Sequence, residues 1–336
     1  MLQAYPDAGD CKLTAAALAE RGLAGHTWID LQDPTPEEIA EVERACGLRV
    51  PSRAALEEIE LTSRIRTEGD TLYMSAPLIA RSEEGVLVSA PTGFVLNADI
   101  CLTVRFASLA VFDVVKADLV GVRRAAPADI FARLLEAVVD RAADHLEVCA
   151  DQLDKASHAI FRADQSDDAK PSKPGSGKTH KLSRDTALLR RVMIQIGRAS
   201  ARMSKVRYAL VCVSRMAQFA VDRGKDWIEP DVRERLGGVR ADVASLEQYE
   251  EHLLSRVQLL QDAATAFISI EQNDVVKVLT IASVAGIPPV MVVGLYGMNF
   301  KYMPELAWRF GYPYALALIV ITTLIPLAWF KWKDWM

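Results

Sequence analysis

The chain has 336 residues, 51% of them apolar and 25% charged, with a formal net charge of -5. That length allows one large soluble domain or two smaller ones with further segments besides, and the composition excludes a disordered or collagen-like chain. Five scattered cysteines, Cys11, Cys46, Cys101, Cys149 and Cys212, do not make a disulfide framework at this size, which points to a reducing compartment.

The charge is unevenly placed. After Asp274 the chain carries Lys277, Lys301, Arg309, Lys331 and Lys333 against Glu305 and Asp334, a net +3, which leaves -8 on everything before. An acidic body does not suit a nucleic-acid binder, which needs a basic face against phosphate, but it does suit a protein that meets cations. Residues Met1 to Asp10 offer neither the basic start nor the apolar core of a signal peptide, so the body is expected to stay in the cytoplasm.

In chain order, Trp28 to Leu31 reads as a strand, and Thr35, Pro36 and Glu38 make a capping-box start to a helix running through about Ala45. Leu72 to Ala80, Gly85 to Ala90, Gly93 to Leu96 and Ile100 to Phe106 read as strands broken by turn residues. The expected fold over residues 1–125 is an α+β cytoplasmic domain, a mixed sheet with helical cover. From Asp129 the pattern becomes helical. One long helix is expected to about Arg162, a second from about Arg184 to Asp222 and a third from about Val239, giving a helical region over 126–274.

Residues 163–183 are rich in Asp, Lys, Ser and Pro and read as a flexible linker. Gly175, Ser176, Gly177, Lys178 and Thr179 imitate a phosphate-binding loop, but Ser172 stands where that pattern needs glycine and no buried strand precedes it, so no nucleotide is expected. His145 and Cys149 sit four apart on a helix, a spacing that can bind metal, yet no third ligand is visible; His26, His158, His180 and His252 form no cluster. No nucleophile with a base and no catalytic carboxylate pair can be argued from spacing, so no enzyme is expected.

Leu246, Leu253, Leu260 and Phe267 recur every seven residues, with Val257 and Ala264 between them, a seam for neighbouring helices. No break signal interrupts this stripe before Pro288, so the third helix is expected to run on as a stalk into an apolar segment. From Val239 to Asn299 it would measure about 90 Å. Two stretches, about 275–297 and 313–331, meet the spanning criterion of roughly 20 mostly apolar residues. They make a transmembrane hairpin within 275–336 whose chain ends share one side, with Trp329, Trp332 and Trp335 as an aromatic belt. A plain anchor has no use for Pro288 and Pro289 in mid-span, nor for Gly294 and Gly297 around Tyr296, Met298 and Asn299 at its far end.

The run Tyr296, Gly297, Met298, Asn299, Phe300, followed by Met303, Pro304, Glu305 and Leu306, resembles the signature of CorA-type magnesium and divalent metal ion transporters. Glu271, Gln272, Asn273, Lys277, Val278, Leu279 and Thr280 are similar to the family's approach to the same helix, and Gly311, Tyr312, Pro313 and Phe330 to Lys333 to its second span. The detailed likeness covers about the last seventy residues. It implies a homopentameric membrane channel in the inner (plasma) membrane, with lipid around it and both termini in the cytoplasm. Five first helices would line one pore and five second helices would ring them.

On that reading Gly297, Met298 and Asn299 form the selectivity motif, with Asn299 amides facing a hydrated Mg²⁺. Magnesium gives up water reluctantly, so a neutral ring that binds through the ion's waters suits it. Glu305 in the outer loop would concentrate cations. The family's pore face falls on Gly294, Val290, Ile287, Ser283, Leu279, Val276 and Asn273. Leu279 and Val276 are the candidates for a hydrophobic gate, with Asn273 a polar ring at the inner end. Relatives commonly carry threonine where Val290 sits and a larger apolar residue where Ser283 sits.

The family also implies divalent ions bound between cytoplasmic domains that hold the pore shut, a feedback in which Mg²⁺ is both transported and regulatory. Candidate acids are Glu83 and Glu84 in a loop and Asp231, Glu234 and Asp242 near the start of the stalk. No other cofactor is implied. Co²⁺ and Ni²⁺ share the hydration geometry. Two other readings are a zinc carrier of the same superfamily, against which Met298 argues, and a membrane-anchored sensor or scaffold whose cytoplasmic part does the work.

Overall fold

A computed structural model describes residues 2–5, 26–58, 64–82, 86–119, 125–165, 178–298, 303, 308–333 and 335, with 162–165 and 178–186 as helix backbone only. Asn299, Glu305, Glu83, Glu84 and most of the expected linker lie outside the described residues. The chain divides into two units: residues 1–162 with 192–260, and residues 163–191 with 261–336.

The first unit is built on a six-stranded sheet. Its strands are β1 (Leu2–Tyr5), β2 (Trp28–Gln32), β3 (Ile65–Glu68), β4 (Thr71–Arg81), β5 (Leu87–Leu96) and β6 (Cys101–Arg105), in the spatial order β1-β2-β6-β5-β4-β3. Only β2 and β6 pair in parallel; every other neighbour is antiparallel, so the sheet is mixed. β1 and β3 were not legible in the sequence. Each is four residues long and stands at an edge, too short for alternation to register.

The break expected between Gly85–Ala90 and Gly93–Leu96 does not exist, because β5 runs unbroken through Pro91 and Gly93. Pro91 is tolerated since it faces Pro77 across the ladder, so the two missing donors oppose each other. Gly93 lies at a close approach: a Cβ there would lie 2.9 Å from a Leu56 methyl, which would have to shift.

Both faces of the sheet are covered, which is why β4 and β6 read as continuous apolar runs. On one face Ile29, Leu31, Val95, Leu102 and Val104 pack with Val42 of α1 (Pro36–Cys46) and Leu56 of α2 (Arg53–Leu56). The capping box of α1 is formed: Thr35 Oγ1 accepts from the Glu38 amide at 3.2 Å and Glu38 accepts from the Thr35 amide at 3.0 Å. On the other face Trp28 and Phe94 meet Phe112 of α3 (Ala110–Leu119), and Phe94 meets Phe131 of α4 (Pro127–Gln165) edge-on at 5.8 Å.

Three long helices follow the sheet: α4, α5 (Lys178–Arg223) and α6 (Pro230–Tyr296). The last begins nine residues before the expected Val239, at a proline suited to a first helical turn. Gly237 and Gly238 lie inside it with open space around them. At 67 residues α6 is about 100 Å long. In the second unit, α7 (Gly311–Trp332) follows α6.

Candidate functional site

The site is built on about the last seven turns of α6. The most apolar 18-residue window of this helix has 0% of its residues buried, and that of α7 has 6%. A core helix of a soluble protein would be buried, so exposed apolar surface of this length fits a lipid or subunit contact. The exposure goes all the way round: Val275, Val278, Met291, Val293 and Leu295 stand open as well as the expected pore stripe.

The helix passes through Pro288 and Pro289 without ending. Each proline lacks an amide proton, so the carbonyls one turn earlier, at Val284 and Ala285, lose their helical donors. In hydrocarbon such groups must be satisfied by neighbouring helices or water. The helix closes at the motif itself. The Gly297 amide donates to the Val293 carbonyl at 2.9 Å, and Met298 donates to Leu295 at 3.4 Å. A Cβ on Gly297 would stand 3.0 Å from the Val293 oxygen, so a side chain there requires this last turn to give by a few tenths of an ångström.

Asn273, Val276, Leu279, Ser283, Ile287, Val290 and Gly294 recur at intervals of three or four and share one stripe of α6. Leu279 is 66% exposed, Val290 70% and Val276 58%; Ser283 is half-buried. The single charge of the span, Lys277, pairs with Asp274 at 3.5 Å on the same helix, both half-exposed, a contact worth at most about 1 kcal/mol. A groove of about 490 Å³ lies along this stretch, lined by Ile270, Asn273, Asp274, Val276, Lys277, Thr280 and Trp335. Trp335 is fixed there by its amide, which donates to the Phe330 carbonyl at 3.0 Å, and by stacking on Phe330. Lys333 lies over the Trp329 ring. At the other end of α7, Trp308 contacts Phe310 and Tyr314, so aromatic rings mark both ends of the apolar segment.

Below the span, α6 is held to α4 by ion pairs. Arg235 bonds both Asp129 and Glu136, which with neighbouring charge drive its pKa up against the opposing effect of burial. Arg256 bonds Asp154, whose carboxyl is lowered by that hydrogen bond and charge. Contacts at 129–136 with 235 and at 154 with 256 mean that the two helices run parallel. Leu253, Val257, Leu260 and Ala264 of the heptad stripe are buried, while Leu246 and Phe267 are half-buried.

Asp231 and Glu234 lie in the first turns of α6 and Asp242 two turns on, all exposed. Acids in a first helical turn are favoured by the helix dipole alone. Among the described residues no group of three His, Cys, Asp or Glu side chains is placed to hold a metal ion. His145 and Cys149 are both buried on α4.

A buried charge cluster escaped the sequence reading. Asp30, 1% exposed, accepts from Arg105 through both oxygens at 2.9–3.2 Å, from Lys116 at 2.8 Å and from Thr103 at 2.9 Å. Its partners are 73 to 86 positions away, so the only signal was a charge inside each of two apolar strands.

Comparison with known proteins places this geometry. The family model described as CorA-like Mg²⁺ transporter protein matches residues 24–332. The magnesium transport protein CorA of Salmonella typhimurium is 28% identical over 332 residues, 97% of each chain. That of Escherichia coli K12 is 28% identical over 317 residues, 94% of this chain and 93% of the relative. Among solved structures, the complete CorA magnesium transporter of Methanocaldococcus jannaschii superposes with a TM-score of 0.68 at 16% identity, covering 100% of this chain and 98% of that one. The full-length CmaX protein superposes with a TM-score of 0.61 at 18% identity, covering 92% and 88%. At those identities the superpositions establish the fold: a mixed-sheet domain, a long helix and a C-terminal apolar helix.

Proposed function

This chain belongs to the CorA-like Mg²⁺ transporter family, and from that premise we propose that it conducts hydrated Mg²⁺ through a pore made by five copies of α6. The family is one of transporters of divalent cations, not of enzymes. The observation that carries the finer reading is an exposed apolar α6 that ends on the Gly297 closure, directly before Met298 and Asn299. Self-association would bury the stripe from Asn273 to Gly294 and supply partners for the carbonyls freed at Pro288 and Pro289.

In this reading five Asn299 amides bind the ion through its water shell, and Glu305 raises the local cation concentration. Leu279 and Val276 close the pore by excluding water, and Asn273 offers a polar ring below them. The protein sits in the inner membrane with both termini in the cytoplasm, so the acidic body meets the cytosolic ion. Divalent ions on its acids, with Asp231, Glu234, Asp242, Glu83 and Glu84 as candidates, hold the closed state, which gives feedback by internal Mg²⁺. A doubly charged ion moving down about 100 mV gains roughly 4.6 kcal/mol, so no nucleotide hydrolysis is needed. Co²⁺ and Ni²⁺ are further candidate ions.

The test is ion flux into vesicles holding the purified protein, comparing Mg²⁺, Co²⁺, Ni²⁺ and Zn²⁺ with and without a pH gradient. Mg²⁺ flux driven by voltage alone, and lost in Asn299→Ala, is the expected result. Zn²⁺ flux that requires a proton gradient, or full Mg²⁺ flux in Asn299→Ala, would overturn it.

A further inference from the structure

The groove at the entry of α6 into its apolar segment has a polarity of its own. Asp274, Lys277 and Thr280 line it at intervals of three, and Val284 follows four residues on, so the four lie along one side of α6. Asp274 precedes the apolar stretch of about 275–297, and the other three lie within it. From the water inward, that side of the helix presents a carboxylate, an ammonium, a hydroxyl and then hydrocarbon. The Thr280 hydroxyl donates to the Val276 carbonyl at 2.8 Å, which leaves its oxygen able to accept.

The charged pair at the mouth of the groove is loosely held. Lys277 and Asp274 stand 3.5 Å apart and about half-exposed, so each keeps hydrogen-bonding capacity towards a ligand. Together they are neutral, a dipole rather than a charge, which favours neither a bare cation nor a bare anion. Ile270, 57% exposed, and Trp335 supply apolar wall beside them. The tail that carries Trp335 also bears Lys331, Trp332 and Lys333, all exposed, the ammonium and indole pattern of a membrane interface. The cavity of about 490 Å³ falls within the roughly 300 to 1,000 Å³ of small-molecule sites. Deeper in, one leaflet of hydrocarbon, about 15 Å, spans roughly ten residues of helix. Val284 and Met291, both exposed, extend the same side over that depth.

We propose that this groove binds one phosphatidylethanolamine molecule, its ammonium on Asp274, its phosphate on Lys277 and an acyl chain along Val284 and Met291. The order of groups in such a lipid, from water inward, is ammonium, phosphate, glycerol ester and hydrocarbon, the order that α6 presents in complementary form. The primary ammonium has N–H donors for the Asp274 carboxylate and the Asn273 amide oxygen, which also lines the groove. A choline headgroup lacks those donors, and an anionic headgroup brings a charge for Lys277 but nothing for Asp274. The inference rests on α6 entering a membrane and not on the proposed path of the ion.

Native mass spectrometry of the full-length protein, released from bilayers of equal phosphatidylethanolamine, phosphatidylcholine and phosphatidylglycerol, tests this. Retention of one phosphatidylethanolamine per chain in preference to the other two is expected. Asp274→Asn and Lys277→Gln should each lower that retention about tenfold, the scale of one lost hydrogen bond to a charged group. Asp274→Lys combined with Lys277→Asp keeps the ion pair and inverts its order. That double variant should also lose the preference, which a merely structural pair would not cause. Circular dichroism and thermal unfolding establish that each variant is folded. Equal retention of the three lipids would mean adventitious lipid only, and preference for phosphatidylglycerol would mean that the basic tail alone attracts anions. No retained lipid on the intact assembly would mean that another copy of the chain fills the groove. Each of these three results overturns the site, and none of them bears on the Asn299→Ala flux test, so the two readings fail separately.

Discussion

Arg207 on α5 and Glu250 on α6 form an ion pair of 3.1 Å in which one partner is 55% exposed and the other 2%. The carboxylate therefore bears the desolvation and the guanidinium does not. Burial raises the Glu250 pKa; Arg207 opposes that rise, while Glu247 and Glu251 add to it.

The sign follows. A folded-state pKa above the unfolded value means that the stability linked to protonated Glu250 is full below the unfolded pKa and is lost as pH rises through the folded one. Glu250→Gln keeps a hydrogen-bond acceptor for Arg207 and removes the buried charge. Its melting temperature should equal or exceed that of the parent at pH 8 and vary less between pH 5 and 8 than the parent's, a pH range set by the usual carboxylate and its upward shift. Arg207→Ala leaves the charge buried and unpaired and should lower stability on the order of 3 kcal/mol at neutral pH. Thermal unfolding across that range decides the matter; a marked loss in Glu250→Gln at pH 8 would mean that the pair is net stabilising.

Asp30 is the opposite case, because its main partner is buried as well: Arg105 is 3% exposed and Lys116 13%. Asp30→Ala strands two cations on the face of the sheet that carries Trp28 and Phe112. The expected cost is about 3 to 5 kcal/mol, visible as a large drop in denaturation midpoint or as failure to accumulate. Lys116→Met leaves the Asp30–Arg105 pair intact and keeps an apolar stem against Tyr5 and Trp28, so it should cost less than half as much. Equal losses in the two variants would contradict this division.

What could be read from the sequence tracks how local each signal was. Thr35 with Glu38, the apolar strands from Trp28, Leu72 and Cys101, and the long helices announce themselves within a few residues, and all are present. The start of α6 was missed because Gly237 and Gly238 imitate a break; both sit in open space within a helix that tertiary packing carries through them. The Pro91–Gly93 interruption was misread for a similar reason, since only the partner strand reveals that Pro77 and Leu56 accommodate those two residues. The Asp30 cluster was invisible because it assembles from residues far apart in the chain. The stripe from Asn273 to Gly294 could be listed from the family's pattern, yet in the proposed pore its partners would belong to other copies, and a single chain shows it largely as exposed surface.

Gly297 gives a prediction that separates the motif from general helix packing. A Cβ at Gly297 meets the Val293 carbonyl at 3.0 Å, whereas one at Gly294 or Gly286 meets nothing within 4 Å of this chain. Gly297→Ala must open the last turn of α6 by a few tenths of an ångström and so displace the residues directly after it. Mg²⁺ flux should fall at least about tenfold in Gly297→Ala, with the melting temperature nearly unchanged, because one loosened terminal turn costs little stability. Gly286→Ala, in mid-helix, should match the parent or gain slightly in stability from the better helix former. Flux retained in Gly297→Ala would show that the end of the helix tolerates a side chain.

Leu279 tests the gate in the direction opposite to loss. If apolar rings at Leu279 and Val276 close the pore by excluding water, a polar side chain should wet the constriction and lower the barrier to the closed-state ion. Leu279→Asn is therefore expected to raise Mg²⁺ flux when internal Mg²⁺ is high, the condition proposed above to shut the parent. Val278→Asn, next to it but off the stripe and 67% exposed, should not. Each 1.4 kcal/mol removed from the barrier gives about a tenfold rise, so even a partial wetting is measurable in a vesicle flux assay. If Leu279→Asn merely reduces flux in step with protein abundance, the constriction lies elsewhere on the stripe; if Val278→Asn leaks as strongly, the face of α6 assigned to the pore is wrong.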